Sequence, residues 1–190
     1  MATCGTDSLR DTRDRAILMV AFVSGGRRRS EIAGLRTDQL TIEPSIPIQN
    51  GAPPLARHPS QSHQDKQRRR GRCRISHGPA GWMRYDAWMT ASKIDKGSLF
   101  RAIARWGTVS RRALDPQSVN AIIKQRAMMA GLDPAEFSAH GLRSGYLTQA
   151  ANRGIPLPEA IEQSRHRSLQ QASSYYNNAA RRSGRTTRML

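Results

Sequence analysis

Two long stretches of this chain have the apolar spacing of a buried helix. Residues 11–23 start with acidic side chains and continue into the apolar run 16–23, and the glycine pair after them predicts where the helix ends. Asp115 followed by Pro116 predicts the start of another helix, because a capping side chain precedes a proline in the first turn. The residues of this second helix that should face the core are Val119, Ile122, Ile123 and Ala127.

Shorter elements are predicted around these two helices. They are a helix over 30–35 with Ile32 and Leu35 inside, a strand opening at 41–42, a helix from 138 or 140 to 154, and a helix over 158–163. Ser168 predicts the cap of a last helix, because Gln171 follows three positions later as in a capping box. The chain is therefore expected to be mainly helical.

The segment 45–85 has neither helical nor strand periodicity. It is rich in Pro, Arg, Gln and Ser, and such a stretch cannot bury enough apolar surface to order itself. We expect irregular structure there, which is unusual for an insert of this length within a compact domain. Residues 99–103 and 113–114 are predicted to be ordered again.

Length and charge narrow the class of protein. The 190 residues fit one domain, for which we expect a disordered start over 1–10 and a basic tail over 181–190. Lys and Arg number 31 against 14 Asp and Glu, and the formal net charge of +17 favours a polyanionic partner. Solvated basic tails are the alternative, but the basic residues recur along the whole chain.

Cysteine content and hydropathy argue against a disulfide-rich, zinc-binding or membrane-spanning protein. Cys4 and Cys73 are too few, and too far apart, for a disulfide framework or a zinc site. The apolar run 16–23 is much shorter than the ~20 residues of a membrane span, and the start lacks the apolar stretch of a signal peptide. We therefore expect a protein of a bacterial-type cytoplasm with no membrane or small-molecule partner.

Five residues could together cleave a phosphodiester with a phenol: Arg28, His140, Arg143, His166 and Tyr175. A tyrosine hydroxyl, with an ordinary pKa of about 10, becomes a useful nucleophile only where cations and a base favour the phenolate. Guanidinium groups match the nonbridging oxygens of the phosphate, which suits both arginines. His140 precedes Arg143 by three residues, so on a helix they share a face and the imidazole can accept the phenolic proton.

Each of these residues also has an ordinary structural interpretation. An arginine of the triplet 27–29 is most often part of a solvated charged face, and His166 between two arginines fits a loop that contacts phosphate. Tyr175 and Tyr176 on an amphipathic helix are most often core or surface aromatics. Their order and spacing as a set favour the catalytic interpretation.

As a set, these residues resemble the tyrosine recombinase family, the phage-integrase type of site-specific recombinase. The blocks 14–40, 114–158 and 163–177 carry the resemblance. The family motif Arg-x-Ser-Glu-aliphatic assigns the first arginine to Arg28, rather than to either neighbour, and Glu31 matches the accompanying acidic residue.

The other family motifs fall in the second half of the chain. His-x-x-Arg assigns His140 and Arg143, and the later histidine is His166, although Arg165 replaces the glycine that usually precedes it. Spacing assigns the nucleophile to Tyr175, with its neighbour Tyr176 as a reserve.

The resemblance implies an α+β, mainly helical catalytic domain with a small antiparallel sheet. Its tyrosine would attack one strand of double-stranded DNA, form a 3′-phosphotyrosyl link and release a 5′-hydroxyl, and a 5′-hydroxyl from another duplex would reverse the step. Neither a metal nor another cofactor is needed, and self-association on DNA is expected. The family's N-terminal DNA-clamping domain has no room before residue 11, so we expect a catalytic domain alone, serving recombination or integration of a mobile element.

The family also carries a lysine on a β-hairpin between its first two motifs, which protonates the leaving 5′-oxygen. Lys66 is the only lysine within 45–85, whereas Lys93 and Lys96 come later and fit less well. Read one nucleotide along, codons for 63–67 permit Thr-Lys-Thr, as related hairpins often have, so we hypothesise a compensated frameshift over about 46–85. A remnant that binds DNA without cleaving it is therefore the alternative function, and a basic RNA-binding protein is a third.

Overall fold

A computed structural model describes residues 3–5, 8–43, 73–76, 79–164, 166 and 168–182. The helices are α1 (Leu9–Val23), α2 (Arg29–Ala33), α3 (Pro79–Ser92), α4 (Pro116–Met129), α5 (Ala139–Asn152), α6 (Leu157–Ser164) and α7 (Leu169–Arg182). The strands are β1 (Leu40–Glu43), β2 (Cys73–Ser76), β3 (Arg101–Ile103) and β4 (Val109–Ala113). The expected mainly helical α+β fold is confirmed.

Side-chain caps determine where the helices begin. The Ser8 hydroxyl accepts a hydrogen bond from the backbone N–H of Asp11 at 3.0 Å, so α1 starts two residues before the predicted position. Asp115 caps α4 as predicted, through the N–H of Gln117 at 2.7 Å. The Ser138 hydroxyl accepts from the N–H of Gly141 at 3.0 Å, which selects Ser138 as the cap of α5.

The larger core lies between α1, α2, α3 and α4. Trp88 and Phe100 are fully buried at its centre, and the indole N–H of Trp88 donates to the carbonyl of Leu99 at 3.0 Å. All of the core residues predicted on α2, at its end and on α4 are buried, namely Ile32, Leu35, Val119, Ile122, Ile123 and Ala127. A smaller cluster joins α5, α6 and α7 around Leu147, Ala150, Ala160 and Ala172.

Two pairs of strands flank the helices. β3 and β4 pair antiparallel, which agrees with the expected small antiparallel sheet. β1 and β2 pair in parallel, with Leu40 opposite Cys73. Both β2 and the start of α3 fall within 45–85, where we expected irregular structure, because pairing with β1 orders a segment that has no periodicity of its own. Lys66 and the hypothesised frameshift up to residue 72 lie outside the described residues.

Residues 3–5, part of the segment 1–10 for which we expected disorder, contact the helices. Cys4 is buried, and the carbonyl of Thr3 accepts a hydrogen bond from Arg126 Nη1 at 2.7 Å. Arg126 also joins α4 to α1, because its Nη2 lies 2.6 Å from carboxylate oxygens of both Asp11 and Asp14. At the other end, α7 continues to Arg182, and the rest of the expected basic tail lies outside the described residues. Within the described ranges, every helix is too short or too polar to cross a membrane.

Candidate active site

Two glycines shape the junction from which the site is built. Gly25 and Gly26 follow α1 with φ of 90° and 70°, which favours glycine at both positions. A Cβ on Gly26 would lie 2.2 Å from the Cα of Arg143, and one on Gly25 would lie 2.4 Å from the carbonyl oxygen of Gln163. The turn after α1 therefore touches the backbone of α5 and of the end of α6, and no larger residue fits without moving them.

Polar contacts hold the same junction. The amide Nε2 of Gln163 donates to the carbonyl of Val23 at 3.1 Å, across the end of α1. Phe22 and Tyr146 meet edge to face with ring centroids 6.1 Å apart, which packs the end of α1 on α5. The ends of α1 and α6 and the first half of α5 thus converge at one place.

The arginine triplet that follows the glycines separates into three environments. Arg27 is buried, whereas Arg28 is exposed and forms the N-cap position of α2. The Glu31 carboxylate accepts the backbone N–H of Arg28 at 3.2 Å. Arg29 donates to the side-chain oxygen of Gln117 on α4 at 2.9 Å. Arg28 and Arg29 are thus both exposed, and the contact with Gln117 ties the guanidinium of Arg29 to α4.

Arg143 is the buried cation of the site. Its Nε donates to Nε2 of His166 at 3.1 Å, and its Nη1 donates to the carbonyl of Gly26 at 3.2 Å. Burial lowers the pKa of Arg143, Arg28 and Arg27 lower it further, and Glu31 opposes them. Neither hydrogen bond uses the Nη2 group. The guanidinium is thus held on two sides in a region of positive potential, which an anion would stabilise.

His166 lies between α6 and α7 and is held from both ring nitrogens. Burial lowers its pKa from 6.5 to about 4, with further lowering by Arg143, His140 and Arg28, so the ring is neutral near pH 7. Since Arg143 can only donate, Nε2 must accept, and the ring proton is assigned to Nδ1. Nδ1 lies 2.6 Å from the hydroxyl oxygen of Ser164, the last residue of α6.

Four of the five predicted site residues therefore lie together. His140 is exposed in the first turn of α5, and it contributes to the lowered pKa of His166. Arg28 contributes to the lowered pKa of both Arg143 and His166. His140 and Arg143 share one helix, as their spacing predicted, and Arg28 follows two positions after Gly26, which lies against Arg143.

The two candidate nucleophiles on α7 have different environments. Tyr175 is half-buried and packs against the cluster that α5 and α6 form. The Tyr176 hydroxyl donates to the carbonyl of Ile155 at 2.5 Å. Among the described residues, the Tyr175 hydroxyl has no hydrogen-bond partner. Tyr175 thus packs on the helices that carry Arg143 and precede His166.

Sequence reasoning missed three residues that build this site. It treated Gly25 and Gly26 only as a helix stop, although two adjacent glycines directly before the Arg-x-Ser-Glu motif are a signal of close backbone approach. It did not consider Ser164, because a serine two positions before a histidine has no distinctive pattern.

Lys93 and Lys96, the lysines that follow 45–85 most closely, lie next to α3 and β3. Lys93 has a positive φ of 53° after α3, and the carbonyl of Lys96 accepts from Arg101 Nη2 at 2.7 Å at the base of β3. No described contact joins either lysine to Arg143 or His166. Of the described side chains, no group of three or more His, Cys, Asp or Glu is placed to hold a metal ion.

Comparison with known proteins gives a consistent result. The sequence profile of the phage integrase family matches residues 1–182. An integrase/recombinase XerD homolog of Selenomonas ruminantium is 28% identical over 173 residues, which is 89% of this chain and 48% of that protein. The tyrosine recombinase XerD of Xanthomonas axonopodis pv. citri (strain 306) is 27% identical over 157 residues, 83% of this chain and 48% of that protein. The chain spans about half the length of these curated relatives.

Proposed function

The chain belongs to the phage integrase family, and we propose that it is the catalytic part of a tyrosine recombinase that cleaves and rejoins double-stranded DNA. One observation carries the proposal: Arg143 is 6% exposed and fixed by His166 and by the carbonyl of Gly26. Burying a guanidinium is costly, and Arg27 and Arg28 add positive charge that Glu31 offsets only in part, so an anion bound beside Arg143 would be stabilised. A phosphodiester is the anion that this arrangement fits.

Arg28 and Arg143 would bind the two nonbridging oxygens of the scissile phosphate. A guanidinium donates from a planar fork that matches two oxygens, and it stays charged throughout the reaction. The Nη2 edge of Arg143, which neither of its hydrogen bonds uses, is the edge we assign to the phosphate. Charge that develops on these oxygens in the transition state would be stabilised by groups that are already in position.

His140 and Tyr175 would perform the bond-making step. The phenolic oxygen of Tyr175 attacks phosphorus, and His140 accepts the phenolic proton. The bond from phosphorus to the 5′-oxygen breaks, and that oxygen takes up a proton to leave as a 5′-hydroxyl. The resulting 3′-phosphotyrosyl ester keeps the energy of the broken bond, so a 5′-hydroxyl from another duplex can reverse the step. Exchange of strands in this way would produce recombination or integration.

The partners follow from the same assignment. The net charge of +17 supports binding to duplex DNA beyond the scissile phosphate. Rejoining strands from different duplexes requires two or more catalytic chains on the DNA, so we propose self-association there. The curated relatives are about twice as long as this chain, so residues outside the matched half would also contribute to the choice of target site and to the assembly on DNA.

A nicked suicide substrate tests this function directly. A nick beside the scissile phosphate lets the released fragment diffuse away and traps the covalent protein–DNA adduct, which is measured by its shift on a denaturing gel. We expect an adduct with the native chain and with Tyr176→Phe, and none with Tyr175→Phe. Binding to the substrate without an adduct would instead support the DNA-binding remnant, and loss of the adduct only in Tyr176→Phe would reassign the nucleophile.

A further inference from the structure

We propose that Ser164 is a positioning residue that holds His166 as the Nδ1–H imidazole, so that Nε2 accepts the hydrogen bond that orients Arg143. This inference rests on the proposed function, because Arg143 is there the buried phosphate ligand. It assigns to a serine at the end of α6 a role in the geometry of a residue on α5.

In the hydrogen bonds among Arg143, His166 and Ser164, each donor faces an acceptor. Arg143 Nε carries a proton at all relevant pH values, so His166 Nε2, 3.1 Å away, accepts it. The proton of the neutral ring is then on Nδ1, which faces the Ser164 oxygen at 2.6 Å. The Ser164 hydroxyl donates to the carbonyl of Ile161 at 3.3 Å, which leaves its oxygen as the acceptor for Nδ1–H. The direction of every hydrogen bond in this series is therefore fixed by the Arg143 donor at one end and the Ile161 carbonyl at the other.

The Ser164 hydroxyl is held in place independently of the histidine. Ser164 is 2% exposed and lies in the last turn of α6. Its Cα lies against Gly25, where a Cβ would approach to 2.5 Å. The backbone of Ser164 therefore cannot move away from the glycine turn, and the hydroxyl provides a rigid acceptor for a ring that lies in a short connection between helices.

Removing this hydroxyl has a defined chemical consequence. His166 is neutral near pH 7, since its pKa is lowered to about 4, and both tautomers are then accessible to it. Without an acceptor at Nδ1, the Nδ1–H tautomer loses one of its two hydrogen bonds, and the population of the tautomer with the proton on Nε2 rises. That proton would face the Nε–H of Arg143, and two donors repel. In the molecules that carry this tautomer the bond between Arg143 and His166 is lost, although every residue of the proposed catalytic set is still present.

Ser164→Ala, Ser164→Thr and Ser92→Ala separate this role from a merely structural one. Ser92 is the matched control, because it too is a buried serine near a helix end whose hydroxyl donates to the carbonyl three residues earlier, that of Met89. The readouts are the rate of adduct formation on the nicked substrate as a function of pH, the DNA affinity, and nitrogen-15 NMR of the His166 ring.

We expect Ser164→Ala to slow adduct formation by about 10- to 100-fold, the usual effect of removing a group that orients a functional histidine. DNA affinity and the melting temperature should match those of Ser92→Ala. Ser164→Thr, which keeps the hydroxyl, should restore the rate to within about threefold of the native chain. The NMR spectrum of the native chain should show a protonated Nδ1 and an unprotonated Nε2, and Ser164→Ala should shift the population toward protonated Nε2.

Failure of this inference is distinguishable from failure of the proposed function. If the native chain forms a Tyr175-dependent adduct and Ser164→Ala forms it at the native rate with the native pH profile, the positioning role is wrong and the function stands. If the native chain forms no adduct, the function fails, and NMR still decides the tautomer. A native His166 protonated on Nε2 overturns the inference in either case, even where a variant does not fold.

Discussion

Gly26 lies directly against the backbone of Arg143, so closely that a Cβ on the glycine would be 2.2 Å from the Cα of the arginine. The carbonyl of the same glycine accepts the Nη1 hydrogen bond of Arg143 at 3.2 Å. One residue thus fixes both the approach of the loop to α5 and the direction of the guanidinium. Because Arg28 follows two positions later, this contact also determines where the second cation lies.

Gly26→Ala should therefore cost far more than an ordinary glycine substitution. Gly131 is a matched control, since its φ of 74° resembles the 70° of Gly26, but a Cβ there would meet nothing within 4 Å. We expect Gly131→Ala to lower the free energy of unfolding by about 1 kcal/mol from backbone strain alone. Gly26→Ala should lower it by at least about 3 kcal/mol, because the clash adds to the strain.

Urea unfolding of both variants measures this difference, and the nicked substrate measures cleavage. Cleavage should be lost in Gly26→Ala and unchanged in Gly131→Ala. Equal losses of stability in the two variants would contradict the tight contact between Gly26 and Arg143.

Arg143→Lys tests whether the site needs a guanidinium or only a positive charge. A lysine ammonium cannot reproduce the separate bonds from Nε to His166 and from Nη1 to Gly26 while presenting a third group to a phosphate. We expect adduct formation to fall by about 100-fold or more, with DNA affinity changed by less than about threefold. Arg153→Lys, at the exposed end of the same helix, is the control and should cleave normally. A lysine variant of residue 143 that cleaved at the native rate would show that charge is sufficient.

Tyr176→Phe should affect stability and leave cleavage intact. The Tyr176 hydroxyl donates to the carbonyl of Ile155 at 2.5 Å, between α5 and α6, and phenylalanine would leave this acceptor without its partner. We expect the free energy of unfolding to fall by about 1 kcal/mol, the usual effect of losing such a hydrogen bond. Tyr175→Phe should leave stability unchanged within error, measured in parallel by urea unfolding. If Tyr175→Phe lost stability but cleaved, and Tyr176→Phe kept its stability but did not cleave, Tyr176 would be the nucleophile and Tyr175 the structural residue.

The stability of the folded chain should depend on the charge of His166. Burial, together with Arg143, His140 and Arg28, lowers its pKa from 6.5 to about 4. Between these values the unfolded chain binds more protons than the folded one, so stability should be fully present above pH 6.5 and decline as pH falls toward 4. His166→Gln has no titrating ring, and its free energy of unfolding should decline less over this window. If the free energy of unfolding fell equally with pH in the native chain and in His166→Gln, titrating groups other than His166 would cause the decline.

Much of the fold could be predicted from the sequence, because local signals control it. The capping residues Ser138 and Asp115 determine where α5 and α4 begin, and apolar spacing identifies the residues that face the core. β2 could not be predicted, since its order depends on pairing with β1, which lies thirty residues away across a stretch without periodicity.

The candidate site was predictable in part for a similar reason. The histidine and arginine of His-x-x-Arg share a helix, so their spacing alone places them on one face. The contact between Gly26 and Arg143 joins residues more than a hundred positions apart, so the glycine pair can indicate a close approach but not its partner. The contact between Ser164 and His166 is local, but a serine two positions before a histidine has no distinctive pattern. The nine residues from His166 to Tyr175 place the tyrosine on α7, but not the direction of its hydroxyl.

Asp14→Ala should destabilise the chain far more than loss of an exposed ion pair. The Asp14 carboxylate is buried and lies 2.6 Å from Arg126 Nη2 and 2.8 Å from Arg13 Nη2, so alanine would leave two buried guanidiniums with fewer partners. We expect a loss of about 3 kcal/mol in the free energy of unfolding. Asp38→Ala is the control, because the pair of Asp38 with Arg36 is more than half exposed and should be worth less than about 1 kcal/mol.

The same substitution should loosen the start of the chain. Arg126 Nη1 donates to the carbonyl of Thr3 at 2.7 Å, and Asp14 orients the guanidinium that makes this bond. Hydrogen exchange should therefore become faster around Cys4 in Asp14→Ala, while the amides of α5 keep their native protection relative to global stability. If exchange rose equally in both regions, Asp14 would act on the whole fold, and the local link from α1 through Arg126 to the first residues would not hold.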